Sequence, residues 1–193
     1  MKGGMIVNPY YLLAPVLLPV MTGAAVLGLR PKERRKREIL VMGGILAASA
    51  VIGALVVNGP KQPLVLYRFG GKMNISLGLD GLSGVFACLI AVLWPLATLY
   101  SFEYMKHEGK ENKFFGYFSI TYGVVAGVAL SHSLITLYFF YELMTLATLP
   151  LVMHAMDARA IYAGKKYLLL SMAGAAMVFV SIISCLLYTS DAA

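Results

Sequence analysis

"LYFFYELMTLATLPLVMH", residues 137–154, is an apolar run with a single acidic residue, Glu142, inside it. Its length and character suit a bilayer-crossing helix, which needs about 20 residues at about 1.5 Å rise each. A charge held at the bilayer centre costs about 2.5 to 3.5 kcal/mol on insertion scales, so this glutamate calls for a use. On a helix Tyr138, Glu142 and Thr145 fall at i−4, i and i+3 and share one face, with Phe139, Leu143 and Leu146 elsewhere. A polar stripe in an apolar helix faces protein or water. Two uses fit it. One is interhelical glue, a protonated carboxyl hydrogen-bonded to a neighbouring helix. The other is proton transfer: burial disfavours the charged carboxyl and a nearby cation favours it, so a proton is taken up or released when that cation moves. Proton transfer is the use expected of Glu142.

Composition places the whole chain in the same setting. Of 193 residues, 60% are hydrophobic and 13% charged, against roughly 25% charged in a soluble domain. The chain reads as an integral membrane protein of all-α class, a polytopic helix bundle. A net charge of +7 raises nucleic acid as a partner, but the basic residues lie between apolar runs and form no stripe interleaved with aromatics. Cys88 and Cys185 sit in apolar surroundings without metal-ligand spacing.

Apolar stretches of suitable length predict six transmembrane helices near residues 10–29, 39–57, 82–101, 114–130, 133–154 and 166–184, with a tight turn at "SHS", 131–133. Basic residues then orient them. Arg30, Lys32, Arg34, Arg35, Lys36 and Arg37 precede the second helix, Lys106, Lys110 and Lys113 the fourth, and Arg159, Lys165 and Lys166 the sixth. The other side has Lys2, Lys61, Arg68 and Lys72. The positive-inside rule puts the first group in the cytoplasm and the N-terminus outside, in a multi-pass protein of the cell membrane. A cleaved signal peptide is the competing reading of residues 1–29. One lysine in its leading region, and an arginine-rich block that would stop transfer, favour a retained helix.

Other features read as packing. Ser119, Gly123, Gly127 and Ser131 recur every four residues and line one helix face with small side chains, which lets a neighbouring backbone approach. Pro15, Pro19, Pro95 and Pro150 fall inside expected helices, where membrane bundles tolerate them. His132 and His154 bracket the fifth helix and are too far apart along it for one metal site. No metal or cofactor site is expected. From His154 back to Glu142 is about 18 Å of helix, so neither Lys165 nor Lys166 is expected to pair with the glutamate.

Four patches resemble one family in its order: "GLDGLSGVF" (78–86), "LYSFEYM" (99–105), "LYFFYELMTLATLPLV" (137–152) and "AGKKYLLLSMAGA" (163–175). They are similar to the N-terminal half of the antiporter-like membrane subunits of respiratory complex I (NADH-quinone oxidoreductase), to the D-type subunit of Mrp sodium/proton antiporters and to membrane subunits of related hydrogenases. The likeness runs over residues 77–184. It implies the N-terminal part of a bundle of about fourteen helices with two inverted repeats. It implies that Glu142 takes the place of the family's helix-five glutamate, which pairs with a lysine on the seventh helix. Lys166 falls on the lysine of the family's A-x-K-Y/F pattern; here "AGKKY", 163–167, fits with one residue of ambiguity, and a structural or relay role follows for Lys166.

The implied function is proton translocation within a complex I-type redox-driven pump, with an Mrp-type antiporter subunit and a structural scaffold as alternatives. Residues 1–184 hold no nicotinamide, flavin or iron–sulfur motif, so redox cofactors are expected in partner subunits. The implied partners are other membrane subunits, the lipid bilayer and protons or sodium ions. The last stretch, "CLLYTSDAA" (185–193), resembles the translation of a transposase-based sequencing adapter and is expected to be non-native. Its alternative is a genuine polar C-terminus; re-sequencing the locus across the Ser184 codon separates the two.

Overall fold

The computed structural model describes residues 8–60, 62–70, 73–107 and 109–191. Among them a 3-10 turn at Pro9–Leu13 leads into α1 (Ala14–Leu29), followed by α2 (Arg34–Asn58), strands β1 (Leu64–Gly70) and β2 (Met73–Leu77), α3 (Gly81–Tyr104), α4 (Glu111–Ala129), α5 (Leu134–Val152) and α6 (Ala158–Asp191). Five of the helical segments are long and apolar enough to cross a bilayer: Pro9–Leu29, Arg34–Asn58, Gly81–Tyr104, Leu134–Val152 and Ala158–Cys185. The chain is an all-α polytopic membrane bundle with one small hairpin.

Local chemistry starts the helices. Asp80 caps α3: the Ser83 N–H donates to Asp80 Oδ1 at 2.7 Å, and that bond holds the carboxyl below its ordinary pKa. Ser133 caps α5, accepting from the Thr136 N–H at 3.2 Å. Asp157 accepts from the Ala160 N–H at 2.6 Å and opens α6. That cap corrects the expected boundary of the sixth helix, which begins eight positions before 166. The second helix likewise starts at Arg34, not 39, because the basic residues continue the helix and their long side chains carry the charge away from it. The fifth ends at Val152, leaving His154 in the turn beyond.

The hairpin is an addition to the sequence reading, which assigned residues 58–80 no regular structure. Strands β1 and β2 pair antiparallel from Leu64↔Leu77 to Gly70↔Met73, with irregularities after Val65 and Arg68. Backbone bonds fasten it to the turn between α4 and α5: the His132 N–H donates to Ser76 O at 3.0 Å and the Gly78 N–H to Leu130 O at 2.8 Å. Ser133 Oγ donates to Asn74 O at 2.6 Å, and the Ser76 N–H to Thr136 Oγ1 at 2.9 Å. These bonds satisfy backbone groups that a bare loop at this end would leave open.

Helix α4 is the hub. It packs against α1, α5, α3 and α2, its pairing with α1 being the most extensive among the helices. A Cβ on Gly123 would collide with the Val16 carbonyl, and one on Gly23 with the Gly116 carbonyl, so bare backbone on both helices allows the close approach. The expected stripe of small residues therefore divides between two neighbours. Gly123 meets α1, and Gly127 is covered by the Phe140 ring of α5. One apolar core, including Val26, Ile45, Ala87 and Phe115, joins α1 to α4. A second, including Leu55, Leu77, Val124 and Phe140, lies toward the hairpin.

Candidate functional site

The sequence singled out Glu142, and its helix is fixed at both ends. Ser133 caps the start and is tied to the hairpin, while the His154 ring packs edge-on against Phe114 of α4 beyond the end. Between these anchors Glu142 is half-buried. Its Oε1 is enclosed and has no hydrogen-bond partner among the described residues. An enclosed carboxyl oxygen with no donor carries a desolvation cost that either a proton or a cation removes.

Its two stripe-mates are used differently. Tyr138 lies against the Phe179 ring of α6 at 5.2 Å between centroids. Thr145 is buried and donates to its own helix at Tyr141 O, 3.4 Å away, so the hydroxyl does not serve the carboxylate. The stripe thus marks a helix face without forming a hydrogen-bonded chain.

Lys166 is exposed on α6, as is Lys165, and among the described residues neither forms an ion pair with Glu142. The inner face of α6 is set by Gly164, where a Cβ would meet the Met153 side chain, and by Tyr167. Lys166 is about 200° around the helix from Gly164. The fold therefore does not bring the two sequence-designated residues together.

It does bring together a pair that the sequence reading missed. Thr148 Oγ1 and the Tyr167 hydroxyl are 3.2 Å apart, a polar link between α5 and α6. Thr148 lies three residues beyond Thr145, a spacing that would have put it on an adjacent part of the same helix surface.

The sequence reading also assigned Arg37 no packing role. One of the basic residues before the second helix, it is only 6% exposed. It pairs with Glu111 at the start of α4 and donates to Asn112 Oδ1 at 3.3 Å. Spacing carried the signal: Arg37, Val41, Ile45, Ala48, Ile52 and Leu55 are the buried residues of α2, recurring every three or four positions. Asn112 in turn donates to Pro31 O at 3.3 Å, and Arg34 Nη2 to Phe102 O at 3.0 Å. These bonds gather the segments before α2 and α4 at one end of the bundle. The His154 Nε2, 3.4 Å from Gly109 O, brings the segment before α6 to that end as well.

Comparison with known proteins agrees with this architecture. Residues 68–115 match the family model described as NADH-ubiquinone oxidoreductase (complex I), chain 5 N-terminus. Residues 131–192 match that of NADH:quinone oxidoreductase/Mrp antiporter, TM. The chain is 36% identical over 103 residues to the Na(+)/H(+) antiporter subunit A1 of Staphylococcus haemolyticus (strain JCSC1435), an alignment covering 53% of this chain and 13% of that protein. The corresponding subunit of Staphylococcus aureus (strain JH9) is 34% identical over the same length and share. The chain thus spans about an eighth of the length of the curated relatives it matches. Among solved structures, a chain of the membrane-bound sulfane sulfur reductase, an archaeal respiratory membrane complex, superposes with a TM-score of 0.73 at 20% identity, over 90% of this chain and 36% of the other.

Proposed function

Because the chain belongs to the antiporter-like membrane subunit family that complex I and the Mrp antiporters share, we propose that it is part of a proton-translocating subunit in a redox-driven membrane complex. The observation that carries this reading is the enclosed Oε1 of Glu142 midway along α5, without a hydrogen-bond partner among the described residues. A carboxyl in that setting is a site for a cation to approach, because the cation replaces the lost solvation. Alternating approach and withdrawal of a lysine from outside the described residues would then move one proton per cycle. Lys166, exposed on α6, is assigned a relay or structural role. Electrons would be handled by partner subunits, against which the uncovered face of α6 is suited to pack. We place the basic end in the cytoplasm, with the protein in the cell membrane.

The test uses the full-length subunit within its complex, reconstituted in vesicles. Glu142→Gln keeps size and hydrogen bonding but cannot titrate, so proton pumping should fall to background while assembly and electron transfer to the acceptor are retained. Glu142→Asp should keep part of the pumping, and Lys166→Ala most of it. Normal pumping by the Gln variant would assign Glu142 to interhelical glue. A second reading, a cation/proton exchanger independent of redox chemistry, is favoured by the likeness to Na(+)/H(+) antiporter subunits. Sodium-driven proton movement in vesicles without an electron donor would select it.

A further inference from the structure

The basic end of the bundle encloses a cavity of about 800 Å³ that neither proposed reaction uses. Four cationic side chains line it, Arg30, Arg37, Lys110 and Lys113, against one carboxylate, Glu111, which is already paired with Arg37. The excess is cationic, so the cavity suits an anion. Arg37 adds a more specific sign. Its side chain is more than nine-tenths buried, and its Nε–H is enclosed with no acceptor among the described residues. With Nε enclosed by protein, what Arg37 offers the cavity it lines is a buried positive charge, which favours an anion there.

The remainder of the lining is apolar, with Leu27 from α1 and Leu149, Pro150 and Met153 from the end of α5. Free phosphate has no use for such a wall, whereas a lipid has a phosphate and a hydrocarbon chain within one molecule. The position agrees, since α1 and α5, both membrane-spanning by length and composition, end at this cavity. A headgroup would sit there with its chains running back along the helices. Every left-handed residue among the described ones, Arg30, Gly109, Lys110 and Met156, also lines this one cavity, so its walls are built from the turns that end and begin the helices.

We propose that this cavity is a binding site for an anionic phospholipid. Arg30, Lys110 and Lys113 hold the phosphate, with the buried charge of Arg37 behind them, and Leu27, Leu149 and Met153 contact the chains.

The experiment uses the full-length protein in its complex, solubilised in mild detergent, and phosphatidylglycerol carrying a photoreactive acyl chain. Titrated labelling is mapped to peptides. The expected adducts fall within residues 27–30 and 149–156, and a phosphatidylcholine probe with the same chain gives little labelling there. Arg30→Gln with Lys113→Gln should weaken half-saturation about tenfold or more, since each basic residue near a headgroup contributes about as much as one factor of five. Lys32→Gln with Arg35→Gln removes the same charge from the same end outside the cavity and should leave labelling nearly unchanged. Equal weakening by both pairs would reduce the effect to surface charge and overturn the site. Equal labelling by the two lipids would overturn it as well. Loss of phosphatidylglycerol labelling in excess inorganic phosphate would show a free-anion site and overturn the choice of lipid. Both pairs alter exposed residues, and native electrophoresis of the complex verifies their assembly.

Discussion

Helices α4 and α6 invert the rule that holds in water. Helix α4 carries Ser119, Thr121 and Tyr122, is absent from the five segments apolar enough to cross a bilayer, and is the most enclosed helix of the bundle. Helix α6 is apolar enough to span, yet among its described side chains only Gly164 and Ala175 are buried. Leu169, Leu170, Met172 and Val180 lie open on its surface. In a bilayer, apolar surface gains little by turning inward, because lipid tails are as apolar as leucine; polar groups and small residues gain by meeting protein. Polarity inside α4 is satisfied at close range. Ser119 Oγ donates to Phe115 O at 2.8 Å and Thr121 Oγ1 to Tyr117 O at 2.9 Å, while the Tyr122 hydroxyl and Ser49 Oγ lie 2.8 Å apart across to α2. The Trp94 ring stacks on Tyr122 at 5.3 Å.

The contrast predicts that substitutions in α4 will be costly and equivalent ones in α6 will not. The largest effect is expected at the first turn of α4. Glu111→Gln leaves the buried Arg37 without its counter-charge and should destabilise the bundle by roughly 3 kcal/mol, read from reversible denaturation in mixed micelles. Replacing both partners, Arg37→Met with Glu111→Leu, should recover most of that loss. Next comes Gly123→Ala, whose new methyl would strike the Val16 backbone, a part of α1 that cannot rotate aside; a loss of about 2 kcal/mol is expected in the same assay. Tyr122→Phe removes only the bond to Ser49, and a loss of about 1 kcal/mol follows from the usual worth of such a bond. The smallest change is expected on α6. At Gly174 a methyl meets nothing within 4 Å, so Gly174→Ala should be neutral or raise stability by up to about 1 kcal/mol through helix propensity. A cost at Gly174 equal to that at Gly123 would mean that α6 is as tightly enclosed as α4 and would break the comparison.

What the sequence by itself determined is the presence of each helix and the position of Glu142 within α5. Both follow from local facts. A segment in a bilayer must satisfy its own backbone hydrogen bonds, so the apolar runs of α1, α2, α3, α5 and α6 become helices whatever surrounds them. A carboxylate among mostly apolar positions is conspicuous for the same reason. The pattern of basic residues put three separate segments on one side, and the bonds from Asn112 to Pro31 and from Arg34 to Phe102 tie the segments before α2 and α4 together. Only the tertiary structure decided the rest. Arg37 and Asn112 are 75 positions apart, and nothing in either neighbourhood states that they touch. The burial of Arg37 depended on the packing of α2 beside the start of α4, where Glu111 and Asn112 meet it. The hairpin exists because Ser131–Ser133 and Thr136 offer its strands hydrogen-bond partners from another part of the chain. The cavity at the basic end is likewise assembled from α1, α2, α4 and α5. Its chemistry belongs to residues that are individually ordinary, because charge and apolar wall become a site only when packing places them around one space.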